Sequence, residues 1–151
     1  MKKLMLAAAA VIGLTTALPA AAQFAKPEDA IKYRQSGMQL MGQHFGRIGA
    51  MVNGRVPFDA KVLADNAAIV EYMSKLPYAG FVDGSDKGAP TKAKPEIWTE
   101  RDKFNAAATK LQDDVVKLNV AAKTGNFDQI KAAFGTAGQS CKACHDNYRE
   151  K

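Results

Sequence analysis

From Pro27 to Tyr148 the apolar residues recur at three- and four-residue steps, and this period constrains the chain more than any other feature. It is the spacing of one face of an α-helix. β-Branched clusters are scarce while Ala, Lys, Gln and Met abound, which favours helix over strand. The first segment opens at Pro27, since proline tolerates a first helical turn, and Glu28 and Asp29 suit the positive end of the helix dipole. Its inward stripe is Ile31, Met38, Met41, Phe45 and Ile48, and it runs out at Asn53-Gly54. Asp59 is the expected cap of the second segment, with Val62, Leu63, Asn66, Val70 and Met73 facing inward and Pro77 ending it.

Residues 77–94 read as a loop, longer than a usual helix connection, containing Gly80, Gly84, Gly88 and Pro90. Tyr78 and Phe81 at its start are expected to fold back over something apolar. The third segment opens at Pro95-Glu96 and carries Ile97, Phe104, Ala108, Leu111, Val115 and Leu118 as far as Thr124-Gly125-Asn126. The fourth places Phe127, Ile130, Phe134, Ala137, Cys141, Cys144, His145 and Tyr148 on one broad face. Gly135 and Gly138 weaken it by roughly 1 kcal/mol each relative to alanine. Short connections at 54–58 and 124–126, with a long one between, predict an all-α, antiparallel four-helix bundle.

The N-terminus does not join this pattern. Lys2 and Lys3 precede a mostly apolar run from Leu4 to Leu18, and Ala20-Ala21-Ala22 supplies small residues for cleavage. Residues 1–22 therefore read as a secretory signal peptide and 23–151 as the single mature domain. The run is shorter than the roughly 20 residues of a membrane-spanning helix, so no membrane insertion is expected after cleavage. Loss of two lysines takes the net charge from +6 to +4. With acids and bases interspersed, that charge is no signature of nucleic-acid binding. A hydrophobic content of 47% argues against disorder.

An exported chain usually spends cysteines on stapling distant segments. Here the only two, Cys141 and Cys144, lie three residues apart, so a disulfide would close almost no loop. Cys141-Lys142-Ala143-Cys144-His145 is instead C-x-x-C-H, the attachment signature of c-type haem. Residues three apart share a helix face, so both thiols can reach the two vinyl groups on one porphyrin edge and form thioethers. The next residue, His145, can turn its imidazole beneath the ring as an axial iron ligand. A thioredoxin-like pair lacks its βαβ context. A structural zinc needs a fourth ligand, for which His44 is the one obvious residue.

Any sixth iron ligand must come from upstream: His44, Met38, Met41, Met51 or Met73. Methionine on a helical apolar face is more often core filler, which predicts a five-coordinate iron. Arg34 lies on the first stripe between Ile31 and Met38. Either it snorkels from the stripe's edge or it pairs with a buried anion, and a haem propionate is the candidate. Arg149, four residues after His145, lies over the same helical face; it either covers the proximal side of the ring or sits exposed at the favourable end of the dipole.

With these residues in place, the runs QFAKPEDAIKYRQSGMQLM and AAFGTAGQSCKACHDNYR resemble the cytochrome c′ family, specifically its β-proteobacterial branch, and the likeness spans the mature chain. The resemblance implies a periplasmic bundle, commonly a homodimer through the first two helices, with one haem c. Cys141 and Cys144 would hold the haem and His145 the iron. Arg34 and Gln35 would contact the propionates. Met38, Tyr78 and Phe81 would line the distal pocket, and Arg149 the proximal face. The branch commonly has leucine where Met38 stands. Methionine occurs there elsewhere in the family without ligating iron, whereas related low-spin cytochromes ligate through a first-helix methionine.

The expected function is gas binding, of nitric oxide or carbon monoxide, rather than enzymatic turnover. The alternative is a six-coordinate, low-spin electron carrier with Met38 as sixth ligand, serving a redox partner. A peroxidase would need a distal His or Arg to cleave an O–O bond, and His44 is the one candidate.

Overall fold

The computed structural model describes residues 23–151; the expected signal peptide, 1–22, lies outside the described residues. Its helices are α1 (Pro27–Val52), α2 (Ala60–Met73), a four-residue α3 (Glu96–Thr99), α4 (Arg101–Thr124) and α5 (Phe127–Tyr148). A 3-10 turn, Pro77–Gly80, follows α2. α1 packs on α2, α2 on α4 and α4 on α5, and α5 returns to α1, closing a four-helix bundle.

Local chemistry sets most of these boundaries. Pro27 occupies the first turn of α1 with Glu28 and Asp29 behind it. The Asp59 carboxylate accepts from the Val62 N–H at 2.9 Å, and the Asn126 side chain accepts from Gln129 N–H at 3.0 Å. Each satisfies an orphan donor of a helix start. Gly125, at φ +68°, ends α4 in the left-handed conformation that favours glycine. α5 runs unbroken through Gly135 and Gly138.

Three expectations are corrected. α2 stops at Met73, before Pro77, and Ser74 turns its hydroxyl onto the Glu71 carbonyl at 2.7 Å. The third segment is not one helix, because the chain breaks at Glu100 (φ −118°, ψ 45°) between α3 and α4. On either side of that break, the Trp98 indole donates to the Val82 carbonyl and Arg101 to the Phe81 carbonyl. Val62 and Phe127 are exposed rather than inward. Neighbouring helical positions point about 100° apart, so the stripe centred on Leu63, Ala67 and Val70 leaves Val62 at its solvent edge.

Two apolar clusters result. Ile48, Leu63, Val70, Val115, Leu118 and Ile130 are among the side chains filling the bundle interior. Ile97, Phe104 and Tyr148 form a second cluster with Tyr78, Phe81 and Trp98 packed against it. The chain's end is tied to the long connection by an antiparallel bridge between Ala93 and Arg149, with the Lys94 N–H on the Tyr148 carbonyl and the Glu150 N–H on that of Lys92. Among the described residues, no helix is long and apolar enough to cross a membrane.

Candidate haem site

A cavity of about 670 Å³ opens between α1, α4, α5 and the 77–95 connection. That volume falls in the roughly 300–1,000 Å³ range of small-molecule and cofactor sites. α5 contributes Cys141, Cys144, His145 and Tyr148 to its wall, followed by Arg149. α1 contributes Arg34, Gln35, Met38, Met41, Gly42 and Phe45, a helical progression along one face. Tyr78 and Phe81 come from the start of the connection. The structure thus brings every sequence-predicted site residue to one cavity.

The two cysteines are half-buried with free thiols, and they touch different clusters: Cys141 the bundle interior, Cys144 the aromatic cluster. Burial, with the neighbouring Cys144, pushes the Cys141 thiol up to about 11, and burial raises Cys144 too. Both are therefore thiols rather than thiolates at neutral pH, which suits residues facing an apolar ring edge. Burial also lowers the His145 imidazole, assisted by the Arg149 charge and opposed by Asp146. His145 thus favours the neutral form, the form that ligates metal. Burial, and secondarily Cys144 and Cys141, raise the Tyr78 phenol.

The register of α5 at this point is fixed by a polar contact. Ser140, next to Cys141, donates its hydroxyl to the buried Asp114 carboxylate of α4. Lys110 donates to Asp114 at 2.8 Å, and Lys117 lies 3.4 Å away. Burial alone would push Asp114 up, but these hydrogen bonds and the lysine charge hold it below the usual carboxylate range.

The upstream ligand candidates separate cleanly. Met38 and Met41 line the cavity. Met51 is packed in the bundle interior and Met73 sits in a separate groove with Leu40 and Leu76. His44 is outside the cavity lining, its Nδ1 2.8 Å from the Asn66 amide oxygen of α2. It therefore stands as neither a distal base nor a fourth zinc ligand. Among the described residues no group of three His, Cys, Asp or Glu side chains is arranged to hold a metal ion. Two thiols and one imidazole on one helix face fit a haem c.

Arg34 is buried at 2% exposure, so it is not a snorkelling residue. Its guanidinium donates to the Gly80 carbonyl and Ser85 Oγ, both at 2.7 Å, the Ser85 carbonyl at 2.8 Å and Thr91 Oγ1 at 3.1 Å. Its Cζ lies 4.6 Å from the centroid of Phe81. Burial lowers its pKa, partly offset by Asp86. Gln35 is exposed and donates to the Pro90 carbonyl at 3.0 Å. Arg149 is exposed at the rim.

Sequence reasoning missed Thr91, Lys92 and Ala93, which line the cavity from the end of the connection. No period marks such residues; the bridge to Arg149 delivers them. It also missed Gly42, whose signal was its place one turn after Met38.

A covalent haem motif at the end of a four-helix bundle, opening on a cavity between helices, defines a bundle-type c cytochrome. A family model described as Cytochrome C′ matches residues 29–149. Cytochrome c′ of Rubrivivax gelatinosus is 54% identical over 129 residues, covering 85% of this chain and all of that protein. Its crystal structure superposes with a TM-score of 0.83. Cytochrome c′ of Alcaligenes xylosoxydans xylosoxydans is 48% identical, over 85% of this chain and 99% of the other. Solved structures of that protein's leucine variants, one a nitric oxide complex and one carrying carbon monoxide, are each 47% identical with TM-scores of 0.80. Each covers 85% of this chain, and 99% and 100% respectively of its own. The chain belongs to the cytochrome c′ family, in its β-proteobacterial type, and that membership implies haem c.

Proposed function

We propose that this chain is a periplasmic monohaem cytochrome that binds nitric oxide or carbon monoxide, exported by its N-terminal 22 residues. Cys141 and Cys144 would hold haem c through two thioethers and His145 would ligate its iron. That iron would supply the centre that binds a diatomic gas. The observation that carries this reading is the α1 wall: its polar members are Arg34, Gln35 and Gln39, the rest are Met38, Met41, Gly42 and Phe45, and His44 lies outside the lining, hydrogen-bonded to Asn66. Arg34 is no substitute acid, since four of its five N–H groups are committed to the connection. The α1 wall therefore presents no free acid–base side chain, which favours gas binding over peroxidatic turnover. Gas complexes of the Alcaligenes relatives support the same reading.

Met38, which lines the cavity, would act as a steric lid, its thioether filling space beside the bound haem rather than ligating it. Gln35 and the Arg34 charge would serve the haem propionates, and Arg149 would cover the His145 side. An apolar groove lined by Tyr33, Leu40, Met73 and Leu76 crosses the outside of α1 and α2, which supports homodimer formation through these helices.

Titration of the ferrous holoprotein with nitric oxide tests the reading. One equivalent per chain should convert the Soret band completely. A spectrum indifferent to the gas would reject gas binding and leave the electron carrier with Met38 as sixth ligand.

A further inference from the structure

We infer that Arg34 is a positioning residue for the gas site, acting through the strap of residues 77–95 that it fastens rather than as a bare counter-charge. The strap holds three glycines and its one regular element is a four-residue turn, so its own backbone bonds do little to order it. Arg34 binds it at residues 80, 85 and 91 with one planar group. The guanidinium fork fixes those points relative to one another, which a lysine ammonium cannot do. Gly80 permits the approach: a Cβ there would stand 2.6 Å from the Ala30 carbonyl oxygen and 2.9 Å from Arg34 Cβ. The same cation lies against the Phe81 ring, so Arg34 holds that ring on the cavity wall from one side while Arg101 holds the Phe81 carbonyl.

The inference rests on the proposed gas-binding function and separates from it by experiment. Two holoprotein variants keep the positive charge. Arg34→Lys removes the fork, and Ser85→Ala with Thr91→Val removes two of its acceptors. Each should speed carbon monoxide association by about three- to tenfold, the range expected from losing one or two hydrogen bonds. Each should also speed trypsin cleavage at the exposed Lys87 within the strap, and leave the haem reduction potential unchanged. Wild-type association rates in both variants would overturn the inference, whatever the protease shows. So would a wild-type rate in both with Arg34→Gln alone shifting the potential, which assigns Arg34 to the propionates. Failure of the wild type to bind carbon monoxide would reject the gas reading instead, and faster cleavage at Lys87 in both variants would still uphold Arg34 as the fastener.

Discussion

Cys141 packs against the aliphatic interior of the bundle, and Cys144, one helical turn on, against Phe104, Tyr148 and the aromatic side chains of the strap. The first environment is periodic and local. Each helix contributes a stripe, and burial of Ile48, Leu63, Val70, Val115, Leu118 and Ile130 at 0–1% exposure is non-directional hydrophobic packing. The second environment is directional and long-range. Phe81 and Phe104 meet at 4.9 Å and Phe104 and Tyr148 at 5.3 Å, with Arg34, Trp98 and Arg101 holding strap carbonyls around them. The candidate haem cavity lies where the two meet. A packed bundle supplies rigidity, while a strap fastened by a few donors supplies a wall that can be tuned.

The largest expected effect joins the two regions. Replacing both Cys141 and Cys144 with alanine should abolish covalent haem, and either single change should leave at most one thioether. Acid-acetone extraction checks this; haem remaining with the double variant's polypeptide would break the attachment assignment.

Within the aliphatic region, Leu118→Ala should cost about 2–5 kcal/mol, as for other large-to-small core changes. Denaturant melts would show it, while carbon monoxide kinetics stay near wild type because Leu118 does not line the cavity. Equal disturbance of stability and gas kinetics would erase the distinction between the regions.

Asp114→Asn should cost about 1.5–3 kcal/mol at neutral pH, the usual range for hydrogen bonds to a charged group. The Asp114 pKa is depressed in the folded state, so its contribution is fully present above the unfolded value of about 4 and is lost as pH falls through the folded one. The gap between variant and wild type in thermal melts should therefore close between pH 5 and strongly acid conditions. A gap independent of pH would show that the carboxylate charge is not what Ser140 and the lysines stabilise.

Met38→Ala is expected to have the smallest effect on stability, since Met38 is only partly buried. It should speed carbon monoxide association, because less bulk must move aside. An unchanged rate would remove Met38 as the lid.

How much of this could be read from sequence follows the same divide. Pro27, Asp59, Gly125 and Asn126 are local signals, and the helix limits they predict hold. The early stop of α2 and the break at Glu100 have no proline or glycine at the site; side-chain bonds from Ser74, Trp98 and Arg101 accompany them. The C-x-x-C-H motif names its chemistry outright. Arg34 announced itself as a charge within an apolar stripe, but its partners include main-chain carbonyls, which carry no residue signature. Thr91 to Ala93 reach the cavity through the bridge to Arg149, a pairing that no helical period reveals.

The central claim is a five-coordinate iron behind a steric lid. The optical spectrum of the resting ferrous protein at neutral pH, taken for wild type and Met38→Ala, tests it most directly. The account predicts five-coordinate, high-spin spectra for both. A low-spin wild-type spectrum that Met38→Ala converts to high-spin would contradict it and make the protein an electron carrier with a methionine-ligated iron.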